Sequence, residues 1–561
     1  MKGGGGCLRF IIVKNGTCMM VRKEEQMPEE TKTDPHAECG MNTENEHILQ
    51  TQLENYAAGG LYPFHMPGHK RRMQPAPGLP ASWDMTEVPG VDDLHDARGI
   101  LREAMDRSAD VWGADRTWYL VNGSTCGLLA GIRALAGRGS EVLCARNCHK
   151  AVFHALELAG FRVRWILPPI DPVWGICGSI RAGQVEAAIR RHPGIRALIL
   201  TSPTYEGVLS DIEGICRVCH DRKIPVLVDE AHGAHLTEAS HRAGFPKGAL
   251  ACGADVVIQS PHKTLPSLTQ TALLHLQGSL VDPERIEDEL DIFETSSPSY
   301  PLMASLDGCT GILRARGETL FEEWACRIGR FDTAVRNLQK IRILFHTPDI
   351  EGKKRDTDAL SAELYDPGKI LIDAGPLAMT GAELAAVLRD TWKMETEMTQ
   401  GTHVLAMTGL CDEAQALDRL AAALINIDNA AADPAKTGAP GGEIRESRKS
   451  DADTENACGA DIPLTVRSPR DWPRPSSVCS ISEAREQESE LVPIDEAEGR
   501  ICAGYYYFYP PGIPFLAPGE IVTSRILQMF RAAEQAGDPV YRGGSGKGIL
   551  CIRELLQLRP S

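Results

Sequence analysis

The chain has 561 residues, 43% hydrophobic and 24% charged, the balance of a globular protein long enough for two or three domains. Its 59 basic and 76 acidic residues leave a net charge of −17, which argues against a nucleic-acid or anionic-membrane surface and weakly suits a cationic small substrate. Seventeen cysteines without short-scaffold spacing read as reduced thiols, no apolar run reaches the roughly 18 residues of a membrane span, and the expectation is a cytoplasmic protein.

Residues 1–45 are rich in Gly, Glu and Thr with little periodicity and read as a poorly ordered extension. Their short apolar core, residues 8–13, is broken by Arg9 and lacks a cleavage site, so it does not read as a signal peptide. Met27 and Met41 are alternative starts. From His47 the chain reads as globular, and strand-like runs then alternate with helical patterns. Residues 117–121 lead into a helix over 125–136, and 141–145 into one over 149–159. Residues 197–201 precede a helix around 212–222, and strands at 226–229 and 254–259 complete the set. Buried β-branched runs alternating with helices predict a mostly parallel sheet covered on both faces.

The expected organisation is a main α/β domain over 46–300, a smaller and more helical α/β domain over 301–428, and a C-terminal α+β domain over 478–561. Between the last two, residues 429–477 are small, charged and Pro/Gly-rich, as a flexible linker or insertion is.

In a parallel α/β sheet ligands bind beyond the carboxyl ends of the strands, and four polar clusters fall there. Val-Asn-Gly-Ser-Thr, residues 121–125, ends a strand and opens a helix, so free backbone N–H groups and the Ser124 and Thr125 hydroxyls offer an anion site. His149 heads the next helix, where an imidazole can stack on a flat ring. Asp229 ends the apolar strand of IPVLVDEAHGAHL, a costly place for a carboxylate without a cationic partner. A protonated pyridine nitrogen is such a partner, and a pyridoxal phosphate (PLP) site needs that pairing. Finally Ser260, His262 and Lys263 follow the strand at 254–259. Each cluster alone has an ordinary explanation as a helix cap, an exposed helix start or a turn. The order Gly-Ser-Thr, His, Asp-x-x-His, Ser-x-His-Lys is far more specific.

Three other signals are rejected. DEAH at 229–232 copies a helicase box, yet the nearest phosphate-loop sequence, GGSGKG at 543–548, has Tyr541 where the first glycine belongs and Gly548 where Ser or Thr should bind magnesium. CRVCH at 216–220 has haem-attachment spacing but reads as an amphipathic helix. His232 and His235 beside Asp229 lack further ligands at metal spacing, so no metal site is expected.

PFHMPGHK at 63–70, DMTEVPGVDDLH at 84–95, NGSTCG, PTYEG, VDEAHGAH, SPHKTLPSLTQ and YPPGIPFLAPGE together resemble the Orn/Lys/Arg decarboxylases, PLP enzymes of the aspartate-aminotransferase-like fold. The resemblance covers about residues 56–270, is weaker at 505–520, and fits a short form of the family without a receiver-like domain. It implies that Lys263 carries the cofactor covalently, Asp229 pairs with the pyridine nitrogen and His149 stacks on the ring. By the same resemblance Ser124, Thr125, Ser260 and His262 hold the phosphate. His232 stands where larger members often have Trp, which leaves its role, contact with the ring substituents, open.

The implied activity is decarboxylation of a basic L-amino acid in polyamine-type metabolism, with arginine slightly favoured over lysine or ornithine. The implied assembly is a homodimer or larger oligomer, its site completed across the subunit interface, with FHMPGHK at 64–70 and YPPGIP at 509–514 the natural candidates to line it. Glu87, Asp92, Asp93 and Glu520 are candidates to meet the distal cation. An aminotransferase, an aldolase, or a catalytically silent regulatory relative are the alternatives on the same fold.

Overall fold

The computed structural model describes residues 47–59, 82–347, 359–432, 474, 476–509, 511–536, 540–542 and 548–553. Two helices, α1 (Ile48–Ala58) and α2 (Ile100–Trp112), precede the main sheet. The chain then runs β1 (Arg116–Leu120), α3 (Gly123–Leu135), β2 (Glu141–Ala145), α4 (Lys150–Ala159), β3 (Arg162–Ile166), α5 (Ala182–Arg191), β4 (Ile195–Thr201) and α6 (Ile212–His220). It continues through β5 (Val226–Glu230), α7 (Glu238–Arg242), β6 (Val256–Gln259), β7 (Ala272–Leu276) and α8 (Pro283–Phe293).

These strands form one seven-stranded sheet in the order β1-β7-β6-β5-β4-β2-β3. β3, β2, β4, β5 and β6 are parallel neighbours, while β7 runs antiparallel to both β6 and β1. All residues of β5, β6 and β7 are buried, as expected of strands covered on both faces. The alternating exposure of β3, by contrast, marks an edge strand with arginines turned outward.

Caps position the strand-to-helix turns. His149 is the N-cap of α4, accepting the Ala151 N–H at Nδ1 over 3.2 Å, and Gly160 closes that helix in the left-handed conformation. Asn122, the N-cap of α3, makes no side-chain cap bond, so the first turn of α3 keeps backbone donors to offer elsewhere.

The 36-residue helix α9 (Tyr300–Val335) leads to a second, antiparallel sheet of β8 (Arg342–Ile343), β9 (Lys369–Asp373), β10 (Met398–Gln400) and β11 (His403–Met407), in the order β10-β11-β9-β8. Helices α10 (Gly381–Trp392) and α11 (Ala416–Ala432) accompany it. The C-terminal region holds a two-stranded sheet, β12 (Ser489–Val492) with β16 (Ile549–Ile552), and a three-stranded one of β13 (Tyr506–Tyr507), β14 (Pro514–Leu516) and β15 (Tyr541–Arg542). Residues 43–561 form one compact unit.

The expectation for 1–45 and most of that for 429–477 lie outside the described residues, as does PFHMPGHK at 63–70. No helix among the described residues is long and apolar enough to cross a membrane.

Candidate active site

Three neighbouring parallel strands bring the chemistry together at their carboxyl ends. Thr201 of β4 pairs in register with Asp229 of β5, which pairs in turn with Ile258 of β6. β6 passes directly into a short turn of helix, Pro261–Lys263, that lifts Lys263 above the strand ends. A cleft of about 390 Å³ opens there, lined by Ser124, His149, Asp229, His232, His262 and Lys263 among others. Six of the eight residues singled out from sequence therefore share one cavity. Ser260 lies just beneath, fully buried, whereas Thr125 is exposed on the first turn of α3 and does not line the cleft.

Burial sets the electrostatics. Desolvation lowers the Lys263 ammonium below its ordinary value, against the opposing pull of Asp229 and Glu397. Desolvation raises the Asp229 carboxyl, with the Lys263 charge opposing, and Asp229 accepts the Ala231 N–H over 3.2 Å. A carboxylate in that position is stabilised by any cation that enters the cleft. His149 is pushed down to about 4 by burial and then by the charge of Lys263, so it is neutral. Because its Nδ1 accepts from Ala151, its proton sits on Nε2. His262 is lowered by burial as well, and since Nδ1 bonds the Thr271 carbonyl at 2.7 Å, Nδ1 must be the protonated nitrogen.

Several buried polar atoms here have no hydrogen-bond partner among the described residues. They are Oγ of Ser260, Oγ1 of Thr201 and Oδ1 of Asn147, the last two on residues that line the cleft. Orphaned buried groups are costly and call for a ligand or water. With the uncapped first turn of α3 and the Asp229 carboxylate, they make a donor and acceptor set that fits PLP: an anion cradle at one end and a carboxylate for a ring cation at the other.

Beyond the residues singled out for the cofactor, the cleft is lined by Tyr205 and by part of the YPPGIP segment, and by Glu206 and Glu397, which sequence reasoning missed. Glu397 enters from the turn before β10, and its carboxylate accepts the Tyr205 hydroxyl proton. Tyr205 lies on the His232 ring with centroids 4.4 Å apart. Glu206, buried beside it, is pushed above the usual carboxylate range by that burial. From the C-terminal region come Tyr509, Pro511 and Ile513, brought in by the Lys150 N–H to Gly512 carbonyl bond of 2.9 Å. A Cβ on Gly512 would stand 3.0 Å from the His149 ring, so the glycine permits this approach.

None of the four acidic candidates lines the cleft. Asp92 accepts the N–H groups of Arg98, Gly99 and Leu101, Asp93 that of His95, and Glu87 the Thr86 hydroxyl. Glu520 is paired with Arg146 at 3.1 Å.

A mostly parallel seven-stranded sheet carrying a half-buried lysine and a buried carboxylate over adjacent strand ends defines an enzyme of the aspartate-aminotransferase-like PLP class. Within that class the match is narrower. Residues 48–407 match the family model for the Orn/Lys/Arg decarboxylase major domain, and 475–540 match the model for its C-terminal domain. The chain is 33% identical over 484 residues to an arginine decarboxylase of Halalkalibacterium halodurans, spanning 85% of this chain and 91% of the relative. It is 31% identical over 505 residues to an arginine decarboxylase of Bacillus subtilis, spanning 89% and 96%. The solved constitutive lysine decarboxylase of Escherichia coli shares the fold, with a TM-score of 0.71 over 90% of this chain and 81% of that one, at 21% identity. The chain belongs to the Orn/Lys/Arg decarboxylase family and is a PLP-dependent amino-acid decarboxylase.

Proposed function

We propose that the protein decarboxylates arginine, and that Glu397 receives the distal guanidinium of the substrate. The observation that carries the reading is one cleft holding Lys263, Asp229 and, across from them, the Glu397 carboxylate oriented by Tyr205. The arginine decarboxylases of H. halodurans and B. subtilis, 33% and 31% identical, support arginine over lysine.

PLP, when bound, supplies the electron sink that accepts the pair left when the Cα–carboxylate bond breaks. Lys263 Nζ, with its proton loosened by burial, is the amine that would hold the cofactor. Asp229, through its buried carboxylate, would keep a proton on the pyridine nitrogen. His149, neutral and with its proton fixed on Nε2, packs as a flat wall. Ser124, Ser260 and the backbone of the α3 start would bind the phosphate, whereas Thr125 points away from the cleft lining and His262, its Nδ1 proton committed to the Thr271 carbonyl, would pack beside it. The proton that replaces the carboxylate on Cα comes from Lys263, because a neutral His149 is a poor acid.

The active form is a homodimer or larger oligomer that completes this cleft. Leu268, 51% exposed in the loop after Lys263, and Tyr509, 52% exposed at the cleft, support that assembly. Light scattering coupled to gel filtration reads it directly.

The deciding experiment measures amine and carbon dioxide from arginine, lysine and ornithine with added PLP, wild type beside Lys263→Ala. Agmatine formed by the wild type and lost in the variant is the expected result. Cadaverine or putrescine in its place overturns arginine, and no amine from any of the three overturns the proposed reaction.

A further inference from the structure

Lys369 is the first residue of β9, in the second sheet, yet its side chain runs into the wall of the cleft in the first. It is 1% exposed, an uncommon state for a lysine. Its path is made by a glycine. A Cβ on Gly207 would stand 2.7 Å from Cγ of Lys369 and 2.8 Å from its Cβ, so no larger residue leaves room for the stem. The turn is locked to the strand by the Asp366 N–H to Gly207 carbonyl bond of 2.9 Å, and Tyr365 Oη donates to the Lys369 carbonyl at 2.6 Å.

The buried charge has a counter-charge close by. Asp366 is fully buried, and although burial works against it, the neighbouring His235 and Lys369 hold its carboxyl below the ordinary range. His235 stands 3.2 Å from it. Burial, with the charge of Lys263, brings Lys369 down to about 8, which leaves it an ammonium at neutral pH. An ammonium has three donors and no acceptor. One donor faces Nδ1 of His232 at 3.5 Å.

His232 is one of the residues that line the cleft, and its ring is flanked by Tyr205. Burial, and then the charges of Lys263 and Lys369, push its pKa well below the usual histidine range. It is a neutral imidazole, with one donor nitrogen and one acceptor. A free imidazole divides between two tautomers, and only one of them offers Nε2 as a donor. Among the described residues the hydrogen bond made by the His232 ring is the one at Nδ1.

We propose that Lys369 is a positioning residue that donates to Nδ1 of His232 and so fixes the proton on Nε2, making this histidine a permanent donor to an oxygen substituent of the bound cofactor ring. The inference rests on the PLP reading of the cleft, but its first test needs neither cofactor nor substrate. In apoprotein labelled with 15N,13C-histidine, the His232 ring resonances are assigned by their loss in His232→Gln. The expected wild-type pattern is a protonated Nε2 with an unprotonated Nδ1. In Lys369→Met the expected result is loss of that pattern in favour of averaged nitrogen shifts. A protonated Nδ1 in the wild type overturns the proposal even if the variant fails to fold, and an unchanged pattern in a folded variant overturns it too.

The second test titrates PLP into both apoproteins, following the cofactor absorbance. A weakening of about tenfold in Lys369→Met is expected for one mispositioned hydrogen bond, and equal affinity overturns the role assigned to His232. Should the wild type form no amine, the reaction is refuted while the tautomer measurement still stands or falls alone.

Discussion

Arg146 and Glu520 form a buried, two-oxygen ion pair, both carboxylate oxygens lying 3.1 Å from one guanidinium nitrogen. The two residues are 8% and 3% exposed in their side chains. The guanidinium also lies 5.0 Å from the ring centre of Phe153 and 5.3 Å from that of Trp165, and Glu520 accepts the Ala517 N–H at 2.9 Å. Arg146 directly follows β2, so the pair fastens the C-terminal region to the main sheet beside His149.

Removing one partner leaves the other charge buried. Glu520→Gln is expected to destabilise the protein by about 3–5 kcal/mol, as is usual for a broken buried pair. Urea unfolding followed by circular dichroism measures it. The KM for the amino acid should change little, because Glu520 does not line the cleft.

Glu397→Gln should do the reverse. Stability is expected to hold, since the carboxylate is exposed at the cleft, while the KM for a basic substrate rises about 10- to 100-fold, as for loss of one charged hydrogen bond. Tyr205→Phe should raise it less, because the carboxylate remains and only its orientation is lost. Steady-state kinetics on arginine separates the two.

Glu230 predicts a pH effect on stability. Burial first, with Asp229 adding, lifts its carboxyl to about 8, while the Gln259 amide and the Ala249 N–H, both at 2.8 Å, oppose that rise. Unfolding returns it to the ordinary value near 4.5. Between those values the folded state binds the extra proton, so stability contributed by this group falls as pH rises from about 4.5 to about 8. Glu230→Gln should flatten that part of the melting-temperature profile between pH 6 and about 8, measured by differential scanning calorimetry at constant ionic strength.

Gly207→Ala tests the passage made for Lys369. Gly207 has a φ of +102°, and the added methyl would meet the lysine stem. Combined strain and overpacking should cost about 2–4 kcal/mol, and PLP affinity should fall with the displaced lysine. Thermal melts and PLP titration read the two effects.

The strand ends were legible in sequence because their chemistry sits in unusual local company. A β-branched run closing on Asp229, and another closing on Ser-Pro-His-Lys, mark a site even before any sheet order is known. Strand β2 was placed at its observed bounds, and the remaining expected strands of this sheet within two residues at each end. β7 was not distinguished: ALLHL is a buried apolar run, and periodicity does not tell an antiparallel insertion from a parallel strand. β3 was missed because its alternating arginines look like a polar loop.

The far wall of the cleft was illegible for a different reason. Glu397 and Lys369 are more than 100 residues beyond Lys263, in stretches where no run of motif residues surrounds them. One signal was available at Lys369, a lysine placed directly before the apolar strand Ile-Leu-Ile. A cation at the mouth of a buried strand demands a partner, just as Asp229 did. Of the acidic candidates chosen instead, Asp92 and Asp93 accept backbone N–H groups, Glu87 the Thr86 hydroxyl, and Glu520 pairs with Arg146. Turn-forming Asp and substrate-reading Asp are alike in sequence.

The cleft has two owners. The first sheet supplies Lys263 and Asp229, the groups needed by any PLP reaction, while the second supplies Lys369 and, from the turn ahead of β10, Glu397. The β10–β11 hairpin, paired along β11 with β9, thus carries the proposed reader of the substrate's far end on a different sheet from the lysine. On that proposal, substrate choice and reaction chemistry are held by different sheets, so a change at Glu397 alters which amino acid enters without touching the strands that carry Lys263 and Asp229.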